Sequence, residues 1–75
     1  MTLHDANGKV LHVGDLVAPI PERVSALVKA LLPEACFRDT GTVAEVTFRV
    51  RVMWAEGWAW FDADMLEIAQ SRRLL

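Results

Sequence analysis

Residues 41–60 read GTVAEVTFRVRVMWAEGWAW, and this run decides the fold class. Thr42, Val43 and Val46 are β-branched, the side chains that fit a pleated, half-buried surface. From Phe48 onward the chain alternates with period two: Phe48, Val50, Val52 and Trp54 share one face, and Arg49, Arg51 and Met53 the other. The first set is expected to face the core and the arginines the solvent. Gly41 reads as the turn residue that lets the first of these strands begin. Thr47-Phe48 suits a two-residue hairpin loop poorly, so near Val46 the chain either reverses irregularly or continues as one long strand bent through a bulge. Ala55-Glu56-Gly57 fits a three-residue loop with glycine in the left-handed position. That register sets Trp54 opposite Trp58 and puts Trp58 and Trp60 on Trp54's face. Each indole buries on the order of 150–250 Å², so three of them would crowd a small core, and at least one tryptophan is expected at the rim or the surface.

Working toward the N-terminus, the period changes. Val24, Leu27, Val28, Leu31 and Leu32 recur at helical spacing, with Glu22, Arg23, Ser25 and Lys29 opposite them, which predicts one amphipathic helix over 21–32. Pro21 suits its first position, Glu22 its positive dipole end, and Pro33 stops it. Its apolar stripe is expected either to plug an open end of the sheet or to form a dimer or partner surface. Further back, Asn7-Gly8 predicts a tight hairpin turn that brings Leu3 toward Val10 and Leu11. Val13-Gly14-Asp15 predicts a second turn, just before a strand starting at Leu16 and Val17. Toward the C-terminus, Asp62-Ala63-Asp64 reads as a polar turn and 65–69 as a closing strand. The final residues, from Gln70 on, are expected to fray unless docked.

A chain of 75 residues makes one domain, 1–75, around a single core. Apolar residues form 53% of it and charged residues 24%, with mean hydropathy +0.25, too apolar for a disordered segment and rich for a small monomer. Part of that surface is expected to be shared with another subunit. A formal net charge of −2 lacks the overall basic footprint of a phosphate-neutralising protein. Cys36 is the only cysteine, which excludes an internal disulfide and fits a buried thiol in a reducing compartment. No charged leader opens the chain and no apolar run reaches the roughly 18 residues of a membrane span, so a cytoplasmic protein without membrane contact is expected.

Taken in order, NGKVLHVGDLV, DTGTVAEV, RVRVMWAEGWAWF and DMLEIA resemble the SH3-like small β-barrels of the KOW and Tudor kind, common in short bacterial and phage proteins. The resemblance covers most of the chain outside 21–32. It rests on a GD turn before strand one, a GTV opening of strand two, a V-x-V-x-W strand three and an L-E-I closing strand. It implies a mostly β fold, a small barrel of about five strands with one helix inserted in the first long loop at about 21–32. It implies little about function, because such barrels host nucleic-acid, peptide and assembly roles alike.

Catalysis is not expected. Ser25, Ser71 and Cys36 have no motif tying them to His4 or His12 as base. Asp62 and Asp64 read as a solvated turn rather than an acid/base pair. His4 and His12 lack a third ligand at zinc spacing, and neither a cofactor nor a small-molecule substrate is indicated. An aromatic cage for a methylated cation would have to draw on Trp54, Trp58, Trp60 and Phe61, which core packing explains better. The favoured reading is a non-catalytic protein-interaction or assembly module. It would bind a protein partner, or a second copy in a symmetric dimer, through Arg49, Arg51, Trp58 and Trp60, since tryptophan and arginine are the usual anchors of such surfaces. The alternative is a nucleic-acid-binding small barrel that uses Arg49, Arg51 and neighbouring aromatics, with Arg38, Arg72 and Arg73 in support.

Overall fold

The computed structural model of the chain describes residues 2–70; of the tail expected to fray, Gln70 instead ends the last strand, paired with Leu16, and the rest, with Ser71, Arg72 and Arg73, lies outside the described residues. Five strands form one antiparallel sheet: β1 (Leu16–Pro19), β2 (Gly41–Val46), β3 (Val50–Trp54), β4 (Gly57–Phe61) and β5 (Leu66–Gln70). Their spatial order is β4-β3-β2-β1-β5. The last strand returns to lie beside the first, and β4 and β5 occupy opposite edges without pairing. Among the described residues the sheet is therefore not closed into a barrel.

The alternation read from the sequence accounts for the core. Val50, Val52 and Trp54 point inward and are buried together with Val17, Val43, Phe61 and Leu66, and Leu11 and Cys36 join the same cluster. Trp54 meets Phe61 edge to face, with ring centroids 5.9 Å apart at 69°, a favoured arrangement for aromatic pairs. Its indole N–H donates to the Asp39 carbonyl at 3.2 Å, so the one polar atom of this buried ring is satisfied. Phe48 departs from the expected set: it lies in the β2–β3 connection and is 77% exposed. The chain reverses there through Thr47, Phe48 and Arg49, with Val46 paired to Val50 and the Thr47 N–H donating to the Arg49 carbonyl at 2.9 Å. A register shift between Val43 and Glu45 adds a bulge within β2 as well.

Gly41 is not a turn residue. It is the first residue of β2, buried, paired with Val17, and a Cβ there would stand 2.5 Å from Val52 Cγ1 and 2.6 Å from Trp54 Cε2. The indole of Trp54 takes the space where a side chain would be.

The helix expected over 21–32 is broken into a 3-10 turn, Pro21–Arg23, and a single α-turn, α1 (Ala26–Lys29). Val24 and Ser25 between them are extended, at φ/ψ of −104°/125° and −63°/154°. The Ser25 hydroxyl accepts from the Val28 N–H at 3.3 Å and starts α1 as its N-cap, the local competition by which serine favours helix starts over helix interiors. Breaking the helix lets Val24 reach the interior at 4% exposure, while Leu27 and Leu31 stay 78% and 81% exposed. The apolar stripe is therefore divided: Val24 is buried and Leu32 packs against the core, while Leu27 and Leu31 face outward.

The N-terminal turns form as their sequences require. Gly8 and Gly14 take φ of 82° and 97°, conformations that glycine adopts without steric cost. His4 bridges to Val10, and the Leu11 N–H donates to the Leu3 carbonyl at 2.9 Å. Asp5, 4% exposed, ties this hairpin to the sheet: Oδ1 accepts from the Asn7 and Lys9 N–H groups at 2.9 and 2.8 Å, and Oδ2 from the Ile68 N–H at 2.9 Å. The Ala6 N–H adds a bond to the Leu66 carbonyl at 2.9 Å. No described helix is long and apolar enough to cross a membrane.

Candidate functional site: the outer face of the β3–β4 hairpin

The β3–β4 hairpin turns through two residues, Ala55 and Glu56, rather than three, with Gly57 at φ 150° paired to Trp54. Because side chains alternate with period two, a one-residue difference in the loop moves every following side chain to the other face. Trp58 therefore pairs with Met53, and Trp60 with Arg51. The two tryptophans lie outside, with the arginines, and not beside Trp54. An aromatic cage of the four rings cannot form, since Trp54 and Phe61 are buried in the core on the opposite face.

This register gathers Arg49, Arg51, Trp58 and Trp60 on one surface. Trp58 is 55% exposed. The Arg51 guanidinium lies 5.6 Å from its ring centroid, within cation–π range, while Arg51 Nε donates to Glu45 Oε1 at 3.2 Å and Nη1 approaches Met53 Sδ at 3.2 Å. Arg49 Nε donates to Asp62 Oδ1 at 3.0 Å. Both ion pairs are partly exposed and contribute at most about 1 kcal/mol each to stability; their effect is to hold two long side chains in place. A groove of about 270 Å³ runs between Thr47, Phe48, Arg49 and Trp60.

Two members of this surface, Phe48 and Met53, were absent from the expected site. Met53 already stood in the outward-facing set with the arginines, so its place followed from the alternation. Phe48 could have been placed by noting that a reversal near Val46 must spend residues outside either strand.

Elsewhere the chemistry is sparse. Among the described residues no group of three His, Cys, Asp or Glu side chains is placed to hold a metal ion. His12 Nδ1 lies 3.8 Å from the buried Asp15 carboxylate, which also accepts the His12 N–H at 2.9 Å and so serves the turn before β1. Cys36 is buried. Removal from water pushes its thiol above the ordinary value of 9.0, a backbone hydrogen bond opposes this, and the charge of Glu56 adds to it. Comparison of the chain with protein-family models, with curated proteins and with solved structures finds no match.

Proposed function

We propose that this protein is a non-catalytic protein-interaction or assembly module of the cytoplasm, of SH3-like small-barrel architecture, that grips its partner with the outer face of the β3–β4 hairpin. The observation that carries this reading is Trp58, more than half exposed beside Met53, Arg51 and Trp60. Covering the exposed part of one indole is worth roughly 2–3 kcal/mol at about 25 cal/mol per Å², the scale of an interface hot spot. Arg51 and Met53 flank it with a cation and a deformable thioether, and the groove at Phe48 and Trp60 offers a second apolar contact. The barrel assignment draws support from the strand order: a four-strand meander followed by a strand that returns beside the first is a sheet that needs only to curl to enclose its core.

The nucleic-acid alternative uses the same residues. Phosphate binding there would have to displace Asp62 from Arg49 and Glu45 from Arg51, in a chain whose net charge is already −2. These pairings favour a protein partner. Immobilised wild-type protein and Trp58→Ser, matched for thermal stability, are to be compared by quantitative capture from a cell extract. The expected result is a protein retained at least about tenfold less by the variant, the change that a loss of about 1.4 kcal/mol produces. Equal capture by both would sink the proposal, and retention of DNA or RNA that weakens steeply with salt would transfer the site to the alternative.

A further inference from the structure

The two edges of the sheet are treated differently. On the β5 edge, Leu66 and Ile68 carry the outward main-chain groups, and both are taken: the Leu66 carbonyl accepts from Ala6 and the Ile68 N–H donates to Asp5. The N-terminal hairpin covers that edge. On the β4 edge nothing comparable happens. The two-residue loop makes Trp54–Gly57 the hydrogen-bonded pair of a tight hairpin, so Val52–Ala59 and Val50–Phe61 are hydrogen-bonded too, and the intervening Trp58 and Trp60 aim their N–H and C=O groups away from β3. Among the described residues no backbone bond reaches them. The strand, GWAWF, carries neither charge nor proline, the devices that ordinarily blunt a free edge.

We infer that β4 is the seam of a symmetric dimer, in which it pairs antiparallel with β4 of a second copy about a two-fold axis at Ala59. This rests on the interaction-module reading above and names the partner as the chain itself. In that register Trp58 stands opposite Trp60 of the second copy, and the outward groups of the two residues exchange both hydrogen bonds. The indoles meet in cross-strand pairs on the outer face. At the ends of the seam Glu56 comes opposite Asp62 of the second copy, whose carboxylate is held by Arg49 at 3.0 Å, so an arginine stands beside the two acids and offsets part of their repulsion. A two-fold axis makes each of these contacts twice. The area covered, on the order of 300–400 Å² per copy, is about half of a standard stable interface. The dimer is therefore weak and concentration-dependent.

Sedimentation from about 10 µM to about 1 mM, concentrations at which weak association is read, combined with residue-resolved amide exchange over the same concentrations, tests the seam. The mass is expected to climb toward twice that of the monomer. Exchange at the Trp58 and Trp60 N–H groups is expected to slow at least severalfold as concentration rises, while the Ala59 N–H, already bonded to β3, does not change. Protein synthesised with an N-methyl group on the Trp58 amide nitrogen keeps both indoles and is expected to remain monomeric. A monomer at the highest concentration overturns the dimer, and if Trp58→Ser still loses a captured protein, the interaction module stands without it. A dimer whose Trp58 and Trp60 exchange does not change with concentration overturns the β4 seam.

Discussion

Gly41 opens β2 in a way that a turn signal does not convey. Its neighbours leave no room for a Cβ, with Val52 Cγ1 at 2.5 Å and Trp54 Cε2 at 2.6 Å from where one would stand, and neither is the free end of a flexible chain. Gly41→Ala is expected to lower stability by about 1–3 kcal/mol, the usual cost of overpacking a well-filled core, as a reduced midpoint in urea denaturation. Shrinking the indole should return part of that loss, so Gly41→Ala combined with Trp54→Phe is expected to be less destabilised than the sum of the two single changes, because residues in contact do not add. Strict additivity would mean that the indole is not what fills the space. The sequence made Trp54 legible as core through its alternation with Val50 and Val52. It could not make Gly41 legible as the surface on which Trp54 rests, since that contact joins residues thirteen apart in the chain whose meeting depends on strand pairing.

At the scale of elements, legibility followed the length of the connections. The inward face of β3 was readable because period two fixes it within one strand. The faces of Trp58 and Trp60 were not, because Ala55-Glu56-Gly57 carries the glycine signal of a three-residue loop, whereas the chain turns through Ala55 and Glu56 alone, and the two loop lengths lead to opposite faces. The segment 21–32 failed differently: helical spacing records which residues would share a face, not whether a surface waits to cover it, and a short helix without one is marginal. Leu27 and Leu31 remained outside accordingly. The N-terminal hairpin was readable from Asn7-Gly8, but its anchor was not, since the buried Asp5 carboxylate receives the Ile68 N–H from the far end of the chain. Asp5→Ala removes the acceptor of three backbone N–H groups at once. It is expected to cost about 2–4 kcal/mol, given roughly 1.5–3 kcal/mol for a hydrogen bond to a charged group and partial recovery by water. Amide exchange at Asn7, Lys9 and Ile68 should accelerate first; protection lost evenly across all strands instead would show that Asp5 supports the core rather than the docking of one hairpin.

For the molecule as a whole, the question is how a chain with mean hydropathy +0.25 distributes the apolar surface that its small core cannot take in. Besides Val10, Val13 and Phe37, the exposed large apolar side chains of the described residues fall in two regions that differ in kind. The α1 region presents Leu27, on the single turn of α1, and Leu31, just after it, with the Lys29, Ala30 and Leu31 N–H groups bonded to nearby carbonyls. The β3–β4 region presents Trp58, Met53 and Phe48 together with an uncovered strand edge and two ordered arginines. Only the second combines side-chain area with unsatisfied directional bonding, which is what a specific contact requires. Replacing both leucines, as Leu27→Glu with Leu31→Lys, is accordingly expected to change stability by no more than about 0.5 kcal/mol, as for surface positions outside any packed feature. Solubility should rise, and both the self-association and the Trp58-dependent capture should stay intact. If that double change abolished either kind of binding while the urea midpoint held, the interaction surface would lie on α1, and the stripe read from helical spacing would be the functional face after all.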